Sequence, residues 1–148
     1  MEQINNIPSL IKIELPQKSG EWEIPKLGRK ISCGLFGISD DFIEKYQSLD
    51  SQFIKNKFST FFFEAAGDSM EPTIYEKQIL VVDRSIKDFH NKVCVVALED
   101  KLICKRVYYK DDRIILKSDN PKYKDIIIEN NESLQLWGVV IAVAGFVK

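Results

Sequence analysis

From about residue 60 onward, apolar positions fall into short runs rich in Val, Ile, Phe and Tyr, separated by Asp, Asn, Gly and Lys. Runs at 61–65, 79–83, 93–98, 102–108, 114–117, 126–128 and 134–147 have the length and β-branched content of strands. Glu99-Asp100-Lys101 and Lys110-Asp111-Asp112 read as hairpin connections. Short strands at this spacing predict a mainly β protein built as a compact, strongly bent β-domain. Upstream the period changes. Phe42, Tyr46, Leu49 and Phe53 recur on one helical face, Ser39 or Asp40 stands where a cap belongs, and Lys55 and Lys57 follow. One helix is therefore expected there. Residues 1–38 show little sustained periodicity and carry Pro8, Pro16, Pro25, Gly20, Gly28, Gly34 and Gly37. They read as an extended arm, too short and too Pro-interrupted for a helix-turn-helix DNA reader. The expected division is an arm, 1–38, and a domain, 39–148.

Composition narrows the partners. The 148 residues are 45% hydrophobic, enough for a real core, and 21 Lys+Arg against 22 Asp+Glu give a formal net charge of -1. A protein gripping duplex phosphates is usually distinctly basic, so direct specific DNA binding is not expected. Cys33, Cys94 and Cys104 lack metal-ligand spacing, and His90 alone does not complete a zinc site. Cys94 and Cys104 lie in apolar strand runs and read as buried small hydrophobes rather than a disulfide. The N-terminus lacks the pattern of a secretory signal. The longest apolar run, 138–147, is too short to cross a bilayer as a helix. A cytoplasmic, reduced protein is expected. Phe61, Phe62, Phe63, Tyr108, Tyr109 and Trp137 read as core and dimer surface, not as a base-stacking platform.

Candidate chemistry centres on Gly67-Asp68-Ser69-Met70-Glu71-Pro72-Thr73. The apolar run ending at Ala66 delivers Ser69 to the lip of the sheet, where local N–H groups can form an oxyanion hole. A serine hydroxyl needs a base to become a nucleophile. His90, in the polar turn Lys87-Asp88-Phe89-His90-Asn91, reads as a surface histidine. A lysine serves if an apolar setting keeps it neutral, and Lys105 has that setting. Strand alternation puts it on the face of Ile103 and Val107, whereas the other lysines lie mostly in turns or beside acids. Taken one at a time, each has a plainer explanation: Lys105 snorkelling from an edge strand, and Ser69 in an ordinary β-to-loop turn.

Together these residues resemble the LexA/UmuD family of self-cleaving serine peptidases, and within it the UmuD-like members of SOS mutagenesis. The resemblance covers roughly residues 31–143. It rests on Cys33-Gly34, Gly67-Asp68-Ser69-Met70, Ile79-Leu80-Val81-Val82-Asp83, Lys105-Arg106 and Trp137-Gly138-Val139-Val140-Ile141. Cys33 to Ser69 and Ser69 to Lys105 each span 36 positions, which suits the family. The resemblance implies the fold of the family's C-terminal peptidase domain. It also implies Ser69 as nucleophile, Lys105 as general base and then acid, and backbone amides of Asp68 and Ser69 as oxyanion donors. Cys33–Gly34 would be the scissile bond. No metal or organic cofactor is implied. The implied partners are a second copy in a homodimer, a RecA–single-stranded DNA filament that promotes cleavage, and a UmuC-like catalytic subunit of a translesion polymerase. The sequence departs from many members at Asp125, where they have proline.

Three other readings fit parts of the pattern. A bacterial signal peptidase also uses Ser–Lys chemistry and can show Ser-Met-x-Pro-Thr, but it needs a membrane anchor and a different continuation from Val107-Tyr108-Tyr109-Lys110. A complete LexA-type repressor needs a DNA-binding domain larger than this arm, which leaves a LexA-type repressor fragment or a phage-borne regulator of transcription as the alternative. A non-cleaving polymerase-binding subunit would keep the fold without the cut.

Overall fold

The computed structural model describes residues 24–27, 43–129 and 133–147. The chain forms two compact units, the first containing residues 56–129 and 133–147 and the second containing residues 24–27 and 43–55 of those described. In the second unit, β1 (Ile24–Leu27) pairs antiparallel with β2 (Ile43–Gln47), and α1 (Leu49–Phe53) follows. Ser48 caps α1, its Oγ accepting from the Ser51 N–H at 3.0 Å. The single helix expected from Phe42, Tyr46, Leu49 and Phe53 is thus corrected to a strand followed by a helix of five residues. Ladder pairing with β1 satisfies the backbone of 43–47 in extended form, which outweighs the helical spacing of the apolar residues.

The first unit is one seven-stranded antiparallel sheet. Its strands are β3 (Thr60–Glu64), β4 (Ile79–Asp83), β5 (Lys92–Leu98), β6 (Lys101–Lys110), β7 (Arg113–Lys117), β8 (Ile126–Ile128) and β9 (Leu134–Ala144). Their order is β3-β4-β9-β5-β6-β7-β8, so β9 returns from the end of the chain to sit between β4 and β5. Every expected strand is present. Both expected hairpins are two-residue turns with positive φ at both central residues, Glu99 and Asp100 in one, Asp111 and Asp112 in the other. Such turns match the right-handed twist of the strands they join.

Apolar side chains cover the sheet on both faces. Alternation along β5 sends Val93 and Val95 into one cluster, with Met70, Ile74, Leu80, Val82 and Trp137, and Cys94 and Val96 into another, with Val107, Leu116, Ile128 and Val139. Trp137 and Val139 are two apart yet enter different clusters. The cause is a bulge: Val95 pairs with Gly138 and Val96 with Leu136, so Trp137 is the extra residue on β9 and turns to the other face. There Phe61 and Phe63 meet its ring edge-on at 5.1 and 5.0 Å. At Gly138 a Cβ would lie 2.7 Å from Val82 Cγ1, so glycine lets β9 and β4 approach. No helix among the described residues is long and apolar enough to cross a membrane.

Candidate active site

The segment between β3 and β4 carries Ser69. Its neck is closed by Ala65 N–H to Gln78 O and Lys77 N–H to Ala65 O, both 2.8 Å. Gly67 turns the chain at φ +76°, a conformation glycine adopts without strain. Met70 and Ile74 then anchor the loop in the first apolar cluster, which leaves the adjacent Ser69 half-buried at the surface of that core. Lys105 comes from the middle of β6, paired across from the fully buried Cys94.

The structure brings the two together. Lys105 Nζ donates to Ser69 Oγ at 3.0 Å and to Ser118 Oγ at 2.9 Å. Burial lowers the Lys105 pKa from its ordinary value, since the ammonium loses hydration without a carboxylate bonded to it among the described residues. Beside it, burial pushes the Cys104 thiol up to about 12, so Cys104 stays neutral. Cys94 is likewise pushed up to about 12, and both cysteines are free. Ser69 and Lys105 line a cleft of about 240 Å³, walled by Phe63, Ala65, Met70, Leu102 and Cys104 among others. Neither the Asp68 nor the Ser69 backbone N–H has an acceptor among the described residues. Cys33 and Gly34 lie outside the described residues.

Sequence reasoning missed the other half of the site, the segment after β7. Asn120, buried, donates from its backbone to Ser69 O at 3.0 Å and from Nδ2 to Asp68 O at 2.9 Å. Tyr123 donates its phenol proton to the Asp68 carboxylate, which raises the phenol's pKa, and its ring lies 5.7 Å from Lys105 Nζ. Asp119 receives Arg106 in a two-pronged contact at 2.8 and 2.7 Å, and also Thr73 Oγ1 at 2.5 Å. The signal was the run Ser118-Asp119-Asn120 directly after a strand, which reads as an ordinary turn. Asp125 forms an ion pair with Lys117 at 3.4 Å. His90 is exposed as expected: its Nδ1 accepts the Tyr109 N–H at 3.2 Å, away from the cleft-lining residues. Among the described residues no group of three His, Cys, Asp or Glu is placed to hold a metal ion.

The Peptidase S24-like family matches residues 25–141, most of the chain. The chain belongs to this family. It is the LexA/UmuD family of SOS-related, self-cleaving serine peptidases. The chain is 27% identical over 136 residues to Protein MucA of Salmonella typhimurium, and equally to Protein MucA of Escherichia coli. Those matches cover 88% of this chain and 92% of each MucA. It is also 27% identical over 119 residues to the LexA repressor of Clostridium kluyveri, covering 80% of this chain and 58% of the repressor. With the LexA repressor of Leptospira interrogans it shares 29% identity over 104 residues, 51% of that repressor's length. The chain therefore spans a little over half of these repressors.

Proposed function

We propose that this protein cuts its own backbone between Cys33 and Gly34, with Ser69 as nucleophile and Lys105 as general base. The observation that carries this reading is the 3.0 Å contact between Lys105 Nζ and Ser69 Oγ at a lysine whose charged form burial disfavours. Neutral Lys105 takes the Ser69 proton as Oγ attacks the Cys33 carbonyl carbon. The N–H groups of Asp68 and Ser69 hold the oxyanion. Collapse breaks the C–N bond, and Lys105 returns its proton to the Gly34 amine. Lys105 then deprotonates a water that hydrolyses the ester on Ser69. The products are residues 1–33 and residues 34–148. In this reading residues 1–38 are the arm and 39–148 the peptidase domain.

The match over 92% of the length of MucA supports reading the chain as a UmuD-like accessory subunit. In this reading the protein is a cytoplasmic homodimer. A RecA–single-stranded DNA filament promotes cleavage by favouring the conformer with the arm in the cleft. The trimmed dimer then joins the catalytic subunit of an error-prone translesion polymerase.

The test is intact mass after incubation from neutral to alkaline pH, beside Ser69→Ala and Lys105→Ala. A fragment beginning at Gly34 should accumulate faster as pH rises, in the wild type alone. An uncut wild type, even with RecA filaments, leaves a binding subunit. A cut persisting in Ser69→Ala means that another nucleophile acts.

A further inference from the structure

A neutral lysine carries two N–H donors and one lone pair, and only the lone pair accepts a proton. Rotation about the Cε–Nζ bond offers three staggered arrangements, of which one aims the lone pair at Ser69. Something must select it. Ser118 Oγ is 2.9 Å from Lys105 Nζ, and among the described residues Ser69 and Ser118 are the two side chains that hydrogen-bond to this nitrogen. Ser118 is itself well held. Register pairs Lys117 with Arg106, so Ser118 continues β7 beside Lys105. The next two residues are fixed by the Arg106–Asp119 contact and by the Asn120 N–H bonded to Ser69 O.

We infer that Ser118 is the positioning residue of the general base: its Oγ accepts one N–H of Lys105 and so turns the lone pair toward Ser69 Oγ. This rests on the reading of Ser69 and Lys105 given above. Ser118 forms no bond to the substrate. It acts through Lys105, and its hydroxyl ties the base to the same segment that ties down the nucleophile's backbone. Among the described residues, the titratable and charged groups near Lys105 are Cys104 beside it, Glu64 in the cleft wall, Tyr123 with its partner Asp68, and the Arg106–Asp119 pair.

The test compares first-order self-cleavage rates against pH for the wild type, Ser118→Ala and Ser118→Thr, with thermal melts to verify folding. In parallel, the Lys105 13Cε shift is titrated in uncut Ser69→Ala protein with and without Ser118→Ala. Ser118→Ala should lower the high-pH plateau rate by on the order of tenfold to a hundredfold, and Ser118→Thr should restore most of it. The inflection should move to lower pH, because the ammonium loses an acceptor. More neutral lysine with a slower rate marks lost orientation. Mere loosening would admit water and move the inflection up toward that of free lysine. Plateau rates unchanged in Ser118→Ala, or an upward inflection, overturn the inference while leaving the Ser69–Lys105 reading intact. If the wild type never cleaves, that reading fails. The titration still decides whether Ser118 holds Lys105: a downward move supports the contact and an unmoved one removes it.

Discussion

Lys105 shares its cleft with Ile103, Cys104 and Met70, so its ammonium is solvated less well in the folded chain than in the unfolded one. The unfolded lysine titrates near its ordinary value, and the folded one lower. Below the folded pKa both states are protonated, and the fold carries the whole desolvation cost. Between the two pKa values the unfolded state binds more protons, so stability rises with pH. Above both, the cost is gone. Lys105→Met should therefore unfold at higher denaturant concentration than the wild type at pH 7, with the advantage shrinking as pH climbs toward the unfolded value. Urea titrations across that range check this, and an advantage independent of pH would mean that packing, not charge, explains the gain. Lys105→Arg gives the complementary result: arginine stays charged, so self-cleavage should be absent at every pH.

At the scale of the element, the segment from Ser118 to Tyr123 matters more than its turn-like composition suggests. Arg106 on β6 grips Asp119 with two bonds, and Thr73 from the serine loop reaches the same carboxylate, so Asp119 joins the two halves of the site. The Arg106 contact, the larger cause, and the Thr73 bond hold its pKa below the usual carboxylate range. A depressed pKa stabilises the fold above the unfolded value, and that contribution is lost as pH falls through the folded one. Asp119→Asn should cost on the order of 1–3 kcal/mol at pH 7 and slow cleavage. Thermal melts at pH 7 and in strong acid check the sign: the gap between variant and wild type should narrow in acid. Such partnerships are invisible in sequence because each joins segments far apart, Asp119 with Thr73, Tyr123 with Asp68. Ser69 and Lys105 were legible as a candidate pair only together, through a lysine inside an apolar strand and a serine turn whose motifs and spacing resemble the family; singly each has a plainer reading. The strands were legible from alternation and hairpin residues. The segment 43–53 was not, since its strand depends on β1. Nor was the turning of Trp137, which a bulge decides.

Across the whole molecule, Ser69 and Lys105 belong to opposite parts of the sheet. The serine loop joins β3 to β4, the lysine sits on β6, and β9 and β5 lie between β4 and β6. At roughly 4.8 Å per strand, β4 and β6 are about 14 Å apart, so the sheet alone does not bring a hydroxyl to an amine. The loop must fold over the sheet and stay there. Met70 and Ile74 hold it, packed against Leu80, Val82, Val93, Val95 and Trp137, side chains from β4, β5 and β9. The first apolar cluster therefore fixes the backbone that carries Ser69, while β6 places Lys105 on the face of Ile103 and Val107. Met70→Ala should cost about 2–5 kcal/mol, the range for truncating a buried aliphatic side chain. It should also slow cleavage under conditions where the variant remains folded, because the residue after the nucleophile loses its anchor. Lys105 keeps its strand and its Ser118 contact, so the pH at which the rate rises should stay near that of the wild type. Urea unfolding with self-cleavage rates measured well below the transition separates these effects. A variant that is destabilised yet cleaves at the wild-type rate would show that the hydrogen bonds from Asn120 suffice to place Ser69 without the core beneath it.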